Sequence, residues 1–182
     1  MGARPVKYKG IQFRSTTEAR WAFLFDKLGW EWKYECQYLN WYVPDFILIF
    51  KEPLLFEVKY AYHPMACLAE KSKVVGSGWK GEAVISCVDL MRSHSQPGFI
   101  VGVLGERHKE AWDWGPAELS WCRKGEHFGL YHEHGSWGCR TCGLANGPND
   151  WDHSKRGQLE GFSAEATNFF RYIHSKEDEG QA

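Results

Sequence analysis

The chain has no long apolar run: nothing in its 182 residues approaches the ~18 consecutive apolar positions of a membrane-crossing helix. The opening stretch, MGARPVKYKG, lacks the apolar segment of a secretory signal. Gly2 is followed by Ala3-Arg4-Pro5-Val6, without the Ser or Thr that closes a myristoylation motif. No membrane partner is therefore expected, and the expected location is intracellular, in the cytoplasm. The chain also has almost no net charge, at −1, so no whole-molecule basic field announces nucleic acid. Any affinity for nucleic acid would rest on local basic patches and fall steeply with salt. Internal repeats and low-complexity segments are absent as well.

Aromatics are abundant, at 16% with ten tryptophans, and apolar residues make up 43%. That composition builds a packed core and excludes a disordered chain. In a reducing compartment the six cysteines are expected as free thiols or metal ligands. The segment 1–14 carries Arg4, Lys7, Lys9 and Arg14 and no acid. It reads either as a basic arm for phosphate or as a solvated terminus. The tail KEDEGQA is acidic and is expected to fray.

Ser15 is a good N-cap for a helix in which Trp21, Leu24, Phe25 and Leu28 form an apolar stripe, closed by Gly29. WEWKYE (30–35) alternates as a half-buried strand does. Residues 42–50 and 54–60 read as two buried strands joined at Lys51-Glu52-Pro53. A helix is expected from Pro64 to Val75, then strands over 82–88 and 98–104. The order α-β-β-β-α-β-β predicts an α/β or α+β sandwich around a mixed sheet. From Gly105 the character changes to Gly, Trp, His and Cys. The expected organisation is a core over 1–105, a metal-braced module over 106–162, and a helix over 163–175, N-capped by Ser163, with the tail to 182. Cys36, Cys67 and Cys87 are expected as inert core thiols.

Asp45, Glu57 and Lys59 lie inside the two apolar strands, where an uncompensated charge costs several kcal/mol. Glu57 and Lys59 are two apart and share one face. If 42–50 is the antiparallel neighbour, Asp45 lies beside them. Two converging carboxylates invite a cation between them, and hard oxygens suit Mg²⁺ or Mn²⁺. A lysine beside that ion can hold an attacking water or help deprotonate it. Those are the parts that hydrolyse a phosphodiester; a structural salt bridge is the plain alternative.

Pro44-Asp45 with Glu57-Val58-Lys59 twelve positions on resembles the signature of the PD-(D/E)xK nuclease superfamily. The preceding STTEARWAFLFDKLG and WEWKYE resemble the start of its phage- and resolvase-like members. The resemblance spans roughly residues 8–104. It implies a restriction-endonuclease-like core with a central mixed sheet flanked by helices. It implies metal ligation by Asp45, Glu57, the Val58 carbonyl and an additional acid, Glu18, with Lys59 catalytic. Glu18 is also placed for a capping box with Ser15. The implied activity is a Mg²⁺- or Mn²⁺-dependent DNA endonuclease that nicks, cuts at specific sites or resolves junctions, leaving 5′-phosphates. A homodimer is one candidate assembly, and the cytoplasm would be a host cell's if the chain is phage-encoded. RNA stays open as a substrate. The alternative is a catalytically silent DNA-binding protein that kept the fold. Lys9, Arg14, Arg20, Lys71 and Lys73 are candidate phosphate contacts.

The second signal is Cys139-Arg140-Thr141-Cys142-Gly143, a C-x-x-C-G turn that can grip zinc. Cys122 supplies a third thiol. His127 is the first choice for the fourth ligand, with His132 and His134 as rivals. Such a Zn²⁺ would be structural, since four ligands leave no open position, and would form a small zinc-ribbon-like module.

Overall fold

The computed structural model describes residues 4–59, 70–87, 99–108, 111–132, 138–144 and 147–180. The fold is α+β, with one large mixed sheet and a few helices. It opens with a hairpin, β1 (Val6–Tyr8) and β2 (Ile11–Phe13), which the charge pattern of the segment conceals. Val6 and Phe13 are fully buried, so from Arg4 on, the described part of the segment packs against the core and is neither a free arm nor a solvated terminus. Helix α1 (Thr16–Leu28) follows, its N-cap Ser15 accepting from the Glu18 amide and its C-cap Gly29 in the left-handed region at φ 70°. Next come β3 (Trp32–Tyr34), β4 (Phe46–Leu48) and β5 (Leu54–Lys59). Strand β4 is shorter than its apolar run suggests, because residues 42–45 leave the ladder.

Helix α2 (Lys71–Gly76) precedes β6 (Ala83–Cys87); the part of the expected helix before residue 70 lies outside the described residues. Two long strands, β7 (Phe99–His108) and β8 (Ala111–Cys122), lead to β9 (His127–His132), the short β10 (Trp151–Asp152) and α3 (Arg156–Gly180). The C-terminal helix thus starts well before residue 163 and runs to 180. Ser163 lies inside it, its carbonyl accepting from Thr167 Oγ1 (2.9 Å). The acidic tail is helical as far as Gly180, and Asp178 pairs with Arg4 at 2.7 Å.

The eight-stranded sheet runs β3-β4-β5-β6-β7-β8, with β9 on the far edge of β8 and β10 continuing beyond the end of β7. Pairing is antiparallel except between β5 and β6. The ladder is unbroken across residue 105, which lies within β7. At the β6–β7 contact a Cβ on Gly102 would come within 2.1 Å of the Ile85 carbonyl oxygen, so only glycine permits this approach.

Alternation along β4 and β5 divides the core. Phe46, Leu48, Leu54 and Phe56 face one side, where α1 contributes Trp21, Leu24 and Phe25 and α3 contributes Leu159 and Phe170. Ile47, Leu55, Ala83, Ile85 and Val103 face the other side, with Val74 of α2. The sheet is strongly curved: Trp30, just before β3, donates from Nε1 to the Phe128 carbonyl on β9 (3.2 Å). No helix among the described residues is long and apolar enough to cross a membrane.

Candidate functional site

Register positions the acids. Phe46 pairs with Phe56, so Asp45, just before β4, stands opposite Glu57 near the end of β5. Directly opposed residues of an antiparallel pair share a face. The Asp45 amide donates to Glu57 Oε2 (3.3 Å), and the Val58 amide donates to Asp45 Oδ2 (2.8 Å). A strand residue's N–H and C=O point the same way, which turns the Val58 carbonyl toward the same corner. Lys59 follows on the Glu57 face, Nζ 2.6 Å from Glu57 Oε1.

Glu18 comes from the first turn of α1. Its Oε1 accepts from Ser15 Oγ (2.8 Å) and its Oε2 from Tyr34 Oη (2.5 Å). The carboxylate therefore takes the cap's hydroxyl and a strand tyrosine, not the cap's backbone amide. Exposure is 9% for Glu18, 3% for Asp45 and 4% for Glu57.

Three buried carboxylates need compensation. Arg14 Nη2 lies 2.6 Å from Asp45 Oδ1, and its Nε is 2.6 Å from Glu35 Oε1. The Tyr42 hydroxyl donates to Glu57 Oε2. Burial and then the Glu57 charge oppose ionised Asp45, whereas the Val58 amide and the Lys59 charge favour it. The opposition wins, and the Asp45 carboxyl is pushed up to about 7. Burial pulls Lys59 down, but the charge and hydrogen bond of Glu57 more than reverse it, so the ammonium is held above its ordinary value. Burial and Glu57 push the Tyr42 hydroxyl well up, keeping it a donor.

The candidate phosphate contacts are mostly engaged within the protein. Lys9 pairs with Asp26 (2.9 Å), Lys73 with Glu70 (2.5 Å), and Arg20 donates to Thr167 Oγ1 (2.6 Å). Arg14 is held by the acids, while Lys71 is exposed on α2.

The cysteine–histidine cluster forms at the other end of the sheet. Cys122 ends β8 and His127 opens β9, paired directly across the 123–126 turn. Cys139 and Cys142 come from the following knuckle, where the Gly143 amide donates to the Cys139 carbonyl (2.7 Å) with Gly143 at φ 71°. The ligand atoms of all four residues lie within 4.8 Å of one another. Among the described residues no other group of three or more Cys, His, Asp or Glu converges so closely. Cys139 Sγ and His127 Nε2 are 3.7 Å apart. Bond lengths of about 2.3 and 2.0 Å to a tetrahedral zinc predict an edge of about 3.5 Å.

Glycines make the room. A Cβ on Gly129 would fall 2.5 Å from Cys139 Sγ, and one on Gly125 would fall 2.4 Å from the His127 ring. The Gly125 amide also points at Cys122 Sγ (3.4 Å). Burial pushes the Cys139 thiol up and lowers His127, which keeps the imidazole neutral and able to ligate. The cluster can bind a metal such as zinc. His132 is excluded as the fourth ligand: five residues from His127, it points to the opposite face of β9, against Gly115. His134 and Cys67 lie outside the described residues, and so does the side chain of Cys87. Cys36 is exposed, not a core thiol.

Sequence reasoning missed the hydroxyls of Tyr34 and Tyr42 and the anchoring role of Arg140. Buried Arg140, inside the knuckle, pairs with buried Glu106 on β7 and with Glu82 (2.7 Å) ahead of β6. A charged residue between two thiols carries no signal that its partners lie 58 and 34 positions away. In comparisons with known proteins, no family model, no curated protein and no solved structure matches the chain.

Proposed function

We propose that the protein is a metal-dependent DNA endonuclease with a restriction-endonuclease-like core, braced by a structural zinc. The reading is carried by one observation: Asp45 and Glu57 face each other across β4 and β5, with Lys59 on the same face, while Glu18 on α1 lies within electrostatic reach of Asp45. A divalent cation suits these donors. They are hard oxygens, and the Asp45 carboxyl is raised first by burial and then by the Glu57 charge, both of which a bound cation would offset. Asp45, Glu57, Glu18 and the Val58 carbonyl would hold Mg²⁺ or Mn²⁺. When bound, such an ion supplies an acidified water and a counter-charge for the phosphoryl oxygens.

The chain's own groups divide the remaining work. Lys59 is held charged by Glu57, so in this arrangement it donates, orienting a water or a phosphate oxygen rather than removing a proton. Arg14, 60% exposed along its side chain, can swing from Asp45 to a phosphate once another cation balances that carboxylate. Tyr34 and Tyr42 fix the carboxylate rotamers of Glu18 and Glu57. The knuckle holds the β8–β9 end of the sheet and leaves no open coordination position, so it takes no chemical part.

A second reading has its own support. Arg14 and Lys59 already compensate the acids, as they would in a structural salt-bridge cluster of a silent DNA-binding protein. Nicking of supercoiled plasmid separates the two. With Mg²⁺ or Mn²⁺ the wild type cuts, and Lys59→Ala or Asp45→Ala lowers the rate by about 10²–10⁴-fold. If the wild type cuts neither duplex, single-stranded nor branched DNA with either ion, the silent reading replaces the enzymatic one.

A further inference from the structure

The loop between β3 and β4 carries two large aromatics into solvent, although core burial takes most of the others. Tyr38 is 73% exposed and Trp41 60%. The loop is nonetheless well held. Leu39 and Tyr42 exchange backbone hydrogen bonds (2.8 Å each), and Asn40, at φ 55°, donates from its side chain to the Ser77 carbonyl (2.9 Å). Trp41 is anchored on one side: a Cβ on Gly76, at the end of α2, would lie 3.2 Å from its Cζ2. Its ring centre is 6.1 Å from that of Tyr42, the residue whose hydroxyl holds Glu57.

Placement gives these rings a meaning. Helix α2 bridges them and the acid site. At its start, Glu70 lies within electrostatic reach of Lys59 and Tyr42; at its end, Gly76 meets Trp41. Six helical residues span roughly 9 Å. That is about two or three stacked nucleotide steps of ~3.4 Å along a strand. The exposed ammonium of Lys71 lies on the same helix, available to phosphate.

We propose that Trp41, assisted by Tyr38, is a stacking platform for an unpaired base of the DNA strand being cut. The substrate class is then DNA with unpaired nucleotides two or three steps from the scissile phosphate, such as flaps, junctions and single strands. The physical ground is that every base has a π-face, but a base inside an intact duplex presents that face only to its neighbours. A ring that rests against Gly76 on one side and is open to solvent on the other fits a splayed base and not a closed helix. This inference rests on the nuclease reading of the acid site for its orientation.

The test uses the full chain as Lys59→Ala, which binds without cutting, in Ca²⁺, with fluorescence anisotropy on a flap DNA and on a blunt duplex of matched sequence. The flap binds at least tenfold more tightly. Adding Trp41→Ala weakens flap binding by about tenfold more than duplex binding, and Trp41→Phe restores most of it. Tenfold is about 1.4 kcal/mol, the size of one base–aromatic stack. A 2-aminopurine at the unpaired position is quenched on binding when Trp41 is present and not when it is alanine. Equal loss on both DNAs, or unquenched 2-aminopurine with Trp41 present, overturns the platform. Plasmid nicking by the otherwise wild-type chain is read separately. A flap preference without any cutting sinks the nuclease reading and leaves the platform standing; cutting with flap binding indifferent to Trp41 does the reverse.

Discussion

In the acid cluster each carboxylate is held by a donor from the protein itself: Arg14 on Asp45, Lys59 and Tyr42 on Glu57, Ser15 and Tyr34 on Glu18. In the cysteine–histidine cluster four ligand atoms crowd within 4.8 Å, and Cys139 and His127 face each other at 3.7 Å. The difference is one of charge. Neutral thiols and an imidazole lose little by converging before a metal arrives. Carboxylates repel one another, so they spread among internal counter-ions. The thiol–imidazole cluster is thus legible from geometry alone, while the acid cluster is legible from how its buried carboxylates are paired.

That contrast can be broken most forcefully at the knuckle. Elemental analysis should find one zinc per chain and none in Cys139→Ser. Loss of the metal should lower the melting temperature by about 10 °C or more, since each kcal/mol is worth about 2–4 °C at this size. If chelation leaves the melting curve unmoved, the cluster is not a metal centre.

The next effect is at Arg140, which ties the knuckle to β7. Arg140→Met leaves Glu106 buried without its cation and should cost about 3–5 kcal/mol in denaturant unfolding. The double variant Arg140→Met with Glu106→Gln should recover much of that loss. No recovery would show that the pair is not what joins the two regions.

The acid cluster sharpens the comparison through pH. The Asp45 carboxyl sits at about 7 in the fold against an ordinary 3.8, so the folded state favours its protonated form. Its contribution to stability is therefore complete below about pH 4 and lost as pH rises through 7. In EDTA, Asp45→Asn should melt above wild type by a margin that grows from pH 5 to pH 8, and Mg²⁺ should narrow it. A margin independent of pH would show that the fold does not oppose ionisation of Asp45. The smallest effect belongs to Tyr42→Phe, which deletes one donor to Glu57 and should cost about 1 kcal/mol without metal.

Much of this was legible along the chain. The stripe Trp21, Leu24, Phe25 announced α1, and the apolar runs around Asp45 and Glu57 announced β4 and β5 in a shared sheet. The β1–β2 hairpin was not legible, because three-residue strands interleaved with lysines carry too little periodicity. Nor was the early start of α3: Gly157 and Gly161 lie in its first turns and weaken the helical signal. His127 could be ranked first from spacing, but only the alternation of β9 separated it from His132.

By itself the sequence determined which residue types must be explained: acids and a lysine inside apolar strands, and thiols paired around a tight turn. Those follow from local patterning, since side-chain direction along a strand repeats every two residues. The tertiary structure alone decided what balances them. Arg14 reaching Asp45, Arg140 reaching Glu106 and Tyr42 reaching Glu57 are contacts made by sheet curvature and loop paths. No local pattern encodes such contacts, because the compensation of a buried charge depends on whichever donor the fold brings near it.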